Sequence, residues 1–192
     1  KKIPITKIGF WFAGLVVARA GDDTVAFADG ADTDGRDLKI SAGAGDDTVT
    51  TGAGDDLLLG DLGNDVLTGG TGSDEVYGGY GNDRIDVTDS GVLGQSDTVF
   101  GGFGNDVLFA DDGDTLSGGA GDDRFQLFTA EGDDPVTITD FTAGDELFIR
   151  DEDGGYYITE RVTTELSEDG ADTNVLLDDQ VVAVLQGVTE VP

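Results

Sequence analysis

An aspartate recurs every nine residues through the middle of this chain, at Asp47, Asp56, Asp65, Asp74 and Asp83, and a glycine stands two residues before each, at Gly45, Gly54, Gly63, Gly72 and Gly81. A carboxylate is a hard anionic donor, and a glycine turn leaves backbone carbonyls open beside it. Those two kinds of oxygen are what a hard divalent cation takes. Carboxylates also act as general acids and bases, and a pair of them suffices for glycoside hydrolysis. With 41 Asp and Glu in 192 residues, residue type alone does not choose between the two chemistries. The period favours the first, because a row of identical ligand sets needs a fixed spacing. No acid outside the period is set apart by its neighbours.

The acids belong to a nine-residue unit: two small residues, any residue, Gly, any residue, Asp, any residue, an apolar residue and any residue. Five copies run without a gap from positions 42, 51, 60, 69 and 78. Position eight holds Val49, Leu58, Leu67, Val76 and Ile85. The frame then breaks, since Asp83 to Asp97 is 14 residues, and returns with Asp97 and Val99 and a full copy at 101–109. A one-residue deletion gives Asp114 and Leu116, a clean copy follows at 118–126, and Asp23 with Val25 forms a partial copy upstream. Glycines at positions one, two and four are expected to supply positive φ angles and close backbone approach. Positions seven to nine are rich in Val, Leu, Ile, Thr and Phe and predict a strand of about 10 Å that points only position eight inward. So short a strand is useful only when stacked.

Composition excludes several functions. Ten Lys and Arg against 41 acids, a net charge of -31, make nucleic acid and an anionic membrane surface unsuitable partners. The chain has no Cys and no His, so it holds no disulfide, no Ser-His-Asp triad and no His-ligated zinc. No apolar run reaches the roughly 20 residues of a membrane span, and no membrane insertion is expected. The N-terminus allows two readings. Lys1-Lys2, the apolar stretch to Val17 and Ala18-Arg19-Ala20 have the outline of a signal peptide. Alternatively Val16, nine residues before Val25, starts the repeat frame, with Phe10, Trp11 and Phe12 capping the core. The missing initiator Met reads as a processed chain or as a piece cut from a longer one.

The nonapeptide run, over about residues 20 to 126, resembles the calcium-binding repeats of the RTX (repeats-in-toxin) family. The resemblance implies an all-β fold, a parallel β-roll (a two-sided β-solenoid) in which two nonapeptides make one coil and Ca²⁺ lies between stacked turns. Carried over residue by residue, a first ion joins the carbonyls of Gly43 and Gly45 and the Asp47 carboxylate to the Gly60 and Leu62 carbonyls and Asp65. A second joins Gly52, Gly54 and Asp56 to Gly69, Thr71 and Asp74. A third joins Asp61, Gly63 and Asp65 to Gly78, Tyr80 and Asp83. A fourth joins Gly102, Gly104 and Asp106 to Gly118, Ala120 and Asp123. Across the break, Gly79, Gly81 and Asp83 meet Gly101, Phe103 and Asp106. The resemblance thus implies about four to seven Ca²⁺ ions; sites at Asp23, Asp97 or Asp114 depart from the motif. It also implies export by a type I secretion apparatus and a location outside a bacterium or on its surface. The chain is then a monomer or the C-terminal part of a larger secreted protein.

The expected organisation is an N-terminal cap over 1–19, the roll over 20–126 with inserts near 27–40 and 87–96, and a β cap over 127–192 that doubles as part of the secretion signal. In the cap, 135–149 reads as a strand, a Gly-Asp turn and a second strand; 156–162 and 173–177 alternate, and 178–180 turns into a hairpin strand at 181–185. Residues 31–37 faintly resemble an EF-hand loop but lack its distal Glu, and read better as an insert. Three functions stay open: a non-enzymatic calcium module, an accessory module of a secreted polysaccharide-modifying enzyme or protease, and an adhesin or surface-layer component. For the last, Tyr77, Phe100 and Phe109 at position nine form either a contact patch or packing for the C-terminal cap. Position three (Ala44, Ala53, Leu62, Thr71, Tyr80, Phe103, Ala120) is no Thr or Asn row of the kind that binds ice.

Overall fold

The computed structural model describes residues 15–27, 35–89, 95–129, 134–150 and 162–189. Each nonapeptide forms one short strand, a glycine turn reverses the chain, and the next strand lands in the opposite sheet. One sheet takes β1 (Leu15–Val17), β3 (Lys39–Ala44), β5 (Leu57–Leu62), β7 (Glu75–Tyr80), β9 (Thr98–Phe103), β11 (Thr115–Ala120) and β13 (Val136–Ile138). The other takes β2 (Thr24–Ala26), β4 (Thr48–Thr50), β6 (Val66–Thr68), β8 (Arg84–Asp86), β10 (Val107–Ala110), β12 (Arg124–Phe128) and β14 (Glu146–Arg150). All these pairings are parallel, each strand to the one two ahead. This is a parallel β-roll.

Register follows position eight. In the first sheet Val16, Ile40, Leu58, Val76, Val99, Leu116 and Ile138 pair in turn, and in the second Val25, Val49, Leu67, Ile85, Leu108 and Phe125. Every one of them is buried, and the two ladders face each other as the core. Strand partners Val76 and Val99 are 23 residues apart, against 18 for Leu58 and Val76. The extra residues fall in the turn between β8 and β9, so the stack stays in phase.

The sheets run beyond the nonapeptides at both ends. Val16 occupies the first rung, so the strand at 15–17 belongs to the repeat frame. At the other end β13 pairs with β11 and β14 with β12, in register, with Ile138 on Leu116 and Leu147 on Phe125. The segment expected to cap the roll is built as one more coil of it, reaching Arg150 where the motif stops at 126. The hairpin follows: β16 (Thr173–Leu177) and β17 (Gln180–Leu185) are antiparallel around Asp178 and Asp179, both at positive φ, and β15 (Val162–Leu166) pairs with β16. β17 then joins β13 in parallel and sets Leu185 beside Ile138. Phe10, Trp11 and Phe12, most of the 31–37 loop, the alternation at 156–161 and the centre of the 87–96 insert lie outside the described residues.

The core is one side chain deep per strand, so deleting one should be felt by its whole rung. Leu67→Ala, at a fully buried position, is expected to destabilise the roll by about 2–5 kcal/mol, read by urea denaturation at fixed, saturating calcium. Thr68→Ala, on the outer face, should change it little.

Candidate metal centres along the turn edges

Stacking coils brings the position-six aspartates of alternate repeats directly above one another, along both edges of the roll. On the edge that carries the chain from the first sheet to the second, Asp23, Asp47, Asp65, Asp83, Asp106, Asp123 and Asp145 form one continuous ladder. The backbone N–H of each donates to Oδ1 of the next, at 2.6–2.9 Å. On the opposite edge Asp56, Asp74, Asp97 and Asp114 are linked in the same way at 2.6–2.8 Å, with Leu38 in place of the first acid. All but the terminal Asp23 and Asp145 are at least 98% removed from solvent.

One carboxylate oxygen is thereby satisfied and the other is not. Oδ2 of Asp47, Asp65, Asp74, Asp83, Asp97 and Asp106 is buried and has no hydrogen-bond partner among the described residues. Buried polar atoms are rarely left so, and a row of anions left so calls for a cation. The position-one glycines define the space around these atoms. A Cβ added to Gly60 would strike both Asp65 Oδ2 and the Gly78 carbonyl; at Gly78 it would strike Asp83 Oδ2 and the Gly101 carbonyl, and at Gly101 it would strike Asp106 Oδ2 and the Gly118 carbonyl. A carboxylate and a carbonyl of the next coil therefore share one small cradle, three times over. Oxygen donors of both kinds in one cradle fit a hard cation such as Ca²⁺. Among the described residues no three acidic side chains come together closely enough to chelate an ion alone, so a cation held in these cradles would need carbonyl oxygens as well.

This geometry refines the role of glycine. Positions two and four do adopt positive φ, as at Gly79 (109°) and Gly81 (129°), with Asp61 tolerating 73° at position two. Position one does not. Gly60, Gly69, Gly78, Gly101 and Gly118 are glycine for want of room, not for backbone freedom. Of the expected ligands, Gly43 and Asp61, then Gly79 and Gly102, pair across coils at position two. The position-three carbonyls of Leu62, Thr71, Tyr80, Phe103 and Ala120 each accept the N–H of a position-four glycine, Gly45, Gly54, Gly63, Gly81 and Gly104 respectively. They retain one lone pair for an ion.

Other residues were not legible from the motif. Position five, treated as free, carries a second ladder that runs the opposite way: the N–H groups of Asn64, Asn82, Asn105 and Asp122 donate back to Asp46, Asn64, Asn82 and Asn105, at 2.7–3.1 Å. The signal was present, since that position holds only Asp, Asn or Ser in the clean copies. Asp97 and Asp114, off the motif, sit squarely in the position-six ladder of the opposite edge. The proposed aromatic patch is not one surface. Tyr77 stacks on Phe100 at 4.8 Å on the first sheet, whereas Phe109 lies in the second, buried beneath the Arg84 guanidinium and against Phe128. The outward aromatic row also includes position three, where Tyr80 stacks on Phe103.

Burial governs the electrostatics. It pushes Asp65, Asp74 and Asp106 up from 3.8 to about 7, Asp97 to about 8 and Asp114 to about 9, with the neighbouring carboxylates adding to the rise and the donated backbone N–H opposing it. Asp47, Asp83 and Asp123 are raised for the same first reason.

The fold and these edges define a class: a two-sided β-solenoid whose turns hold rows of carboxylate and carbonyl oxygens between coils. The sequence profile of the RTX calcium-binding nonapeptide repeat, four copies long, matches residues 15–34, 39–67, 59–88, 93–124 and 113–134, more than half of the chain. The chain belongs to the RTX calcium-binding nonapeptide repeat family. A search of curated proteins finds no match. Among solved structures the chain is similar to the extracellular lipase LipA from Serratia marcescens, with 19% identity and a TM-score of 0.25. That alignment covers 82% of this chain and 39% of the lipase, so the chain spans well under half of that protein's length.

Two outcomes follow. Gly78→Ala should weaken calcium binding while Ala44→Ser, at an outward turn position, leaves it intact; isothermal titration calorimetry separates them. In chelator, the raised aspartates contribute stability that is fully present below pH 3.8 and lost as pH rises through about 7 to 9. The chelated chain should therefore gain β signal on acidification from pH 9 to pH 4. With calcium the dependence reverses, because protons compete for the same oxygens.

Proposed function

We propose that this chain is a calcium-binding module whose ions lie between stacked turns and are required for the roll to fold. The observation that carries the reading is the row of buried Oδ2 atoms without partners, of which those of Asp65, Asp74, Asp83 and Asp106 each lie beside a position-one glycine whose added Cβ would strike them. Asp47 with Asp65, Asp56 with Asp74, Asp65 with Asp83, Asp83 with Asp106, and Asp106 with Asp123 supply the anionic ligands, and carbonyls of the intervening turns supply the rest. Ions that bind only the folded chain stabilise it by mass action and cancel the repulsion along each edge.

The reading extends to location. Bacterial cytosol is poor in free calcium and the exterior is rich in it, so a chain of this kind stays unfolded before export and folds outside. Secretion by a type I apparatus fits that order of events. The module itself is non-catalytic: its buried acids are committed as ligands, and the chain has no histidine. Any activity belongs to a partner domain.

Far-UV circular dichroism during titration from EDTA into millimolar calcium tests the coupling. A cooperative gain of β signal is expected, and magnesium should not reproduce it because the shell is irregular and rich in carbonyls. A β spectrum unchanged between chelator and calcium would overturn the reading.

A further inference from the structure

The outer face of the first sheet carries an apolar block in a chain that is otherwise strongly anionic. Register lines up Leu59, Tyr77 and Phe100 in one column, and Leu62, Tyr80 and Phe103 in a second column beside it. In each column the two aromatic rings stack across the strands, with centroids 4.8 Å apart. All six side chains are at least partly exposed, and Leu62, Tyr80 and Phe103 are more than half so. The block ends abruptly in both directions. Ser41 and Ala44 stand on the rung before it, and Ser117 and Ala120 on the rung after.

The second boundary leaves a step. Within each pair the rings cover each other's inner faces, and Leu59 and Leu62 occupy the rung on the tyrosine side. On the phenylalanine side the next rung offers only the short side chains of Ser117 and Ala120. Beyond them is Asp140, whose carboxylate accepts the Ser117 hydroxyl at 2.6 Å and the N–H groups of Gly118 and Gly119 at 3.0 and 2.9 Å. These bonds fix the carboxylate, and it and the Ser117 oxygen keep lone pairs for further donors. Two ring faces therefore look over a floor of small residues toward anchored acceptors. One missing row of side chains, at about 4.8 Å per strand, is the thickness of a single sugar ring.

Charge and size select the occupant. The acids nearest the block are already engaged, since Glu75 accepts the Tyr77 hydroxyl and Asp61 accepts the Ser41 hydroxyl. The net charge of -31 repels an anionic polymer. A second copy brings the same charge, and a block of roughly 15 Å by 20 Å falls well short of the ~800 Å² per partner of a stable protein interface. A cationic ligand gains more along the carboxylate edges than on these rings. A neutral ligand with a flat C–H face and hydroxyl donors fits all three conditions. The C–H groups on the face of a pyranose carry partial positive charge and meet the negative face of an aromatic ring.

We propose that the step formed by Phe100, Phe103, Ser117, Ala120 and Asp140 binds a sugar ring of a neutral polysaccharide. The rings take the C–H face of the sugar, and Asp140 and Ser117 accept its hydroxyls. The site needs the roll to be folded, but it uses no bound ion. The competing arrangement is that the stacked rings serve strand register alone.

Affinity electrophoresis of the full chain in millimolar calcium distinguishes these. The native gels contain hydroxyethyl cellulose, laminarin, galactomannan or soluble starch, with carboxymethyl cellulose as the anionic counterpart. Retardation by at least one neutral polymer, and none by carboxymethyl cellulose, is expected. Phe103→Ala should weaken that binding about tenfold or more. Ala120→Gln, which fills the step without altering a ring, should give the same loss. Val66→Ser, on the outer face of the other sheet, should migrate as wild type. Circular dichroism in calcium reports whether each variant is folded. A folded Ala120→Gln chain retarded as strongly as wild type overturns the site, as does a wild-type chain retarded by no neutral polymer or by carboxymethyl cellulose alone. The calcium reading is judged separately, by the spectrum in chelator.

Discussion

The structure depends on one electrostatic constraint: parallel stacking places aspartate above aspartate at the spacing of adjacent strands, about 4.8 Å. Asp47, Asp65, Asp83 and Asp106 cannot avoid one another without leaving register. Each meets half of its need by accepting the N–H of the aspartate one coil back. That bond fixes register as firmly as the apolar ladder does, because a slip of one residue would lose both. The second oxygen of each carboxylate is left to a cation. Register, charge and ion demand are therefore one property of the chain.

The turns are zipped in both directions. At position six the N–H of a turn donates forward to the next coil; at position five it donates back to the side chain of the previous coil, as Asn82 does to Asn64. Each turn is thus held by both neighbours through its own backbone, and short polar side chains are the only ones that reach. Position four presses a glycine against the previous turn so closely that a Cβ at Gly63 would collide with the Gly45 carbonyl. Such close approach is what lets carbonyls of one coil share a cradle with carboxylates of another.

How much of this was legible in the sequence follows from which forces are periodic. The apolar ladder was, because burial selects Val, Leu, Ile or Phe at one position in nine. The aspartate ladder was, because no other side chain both accepts an N–H and offers a second anionic oxygen at that reach. The coil at 134–150 was not, since it lacks the glycine motif. There Asp140 takes the N–H groups of Gly118 and Gly119 on its own carboxylate, and Asp145 Oδ2 is taken by the Thr142 N–H. These are satisfactions by side chain where the regular copies leave an oxygen open, so they follow no nonapeptide pattern. The burial of Asp89 was not legible for a related reason: it stands in an irregular turn that obeys its own geometry. Position one showed the converse. Its residue type was legible but the cause was not, because lack of space and positive φ both read as glycine.

The same logic sets where the roll needs its ions most. In the N-terminal half the interior receives little beyond one apolar side chain per strand, and position one contributes Ala42, Thr51, Gly60, Gly69 and Gly78. Past the break that inner row on the second edge becomes Val87, Ala110 and Leu127, and the final coil and hairpin add Val136, Ile149, Val175, Leu177 and Val182 to the buried cluster. Apolar burial per residue therefore rises toward the C-terminus. At the same end the carboxylate ladders stop, one at Asp114, whose Oδ2 is held by the Asp111 N–H, the other at Asp145. Hydrogen bonds close the second oxygen at the last rungs, Asp114 and Asp145, whereas Asp47, Asp65, Asp74, Asp83, Asp97 and Asp106 keep theirs open. The division places cation dependence on the regular nonapeptides and leaves the C-terminal coil and hairpin to hydrophobic packing.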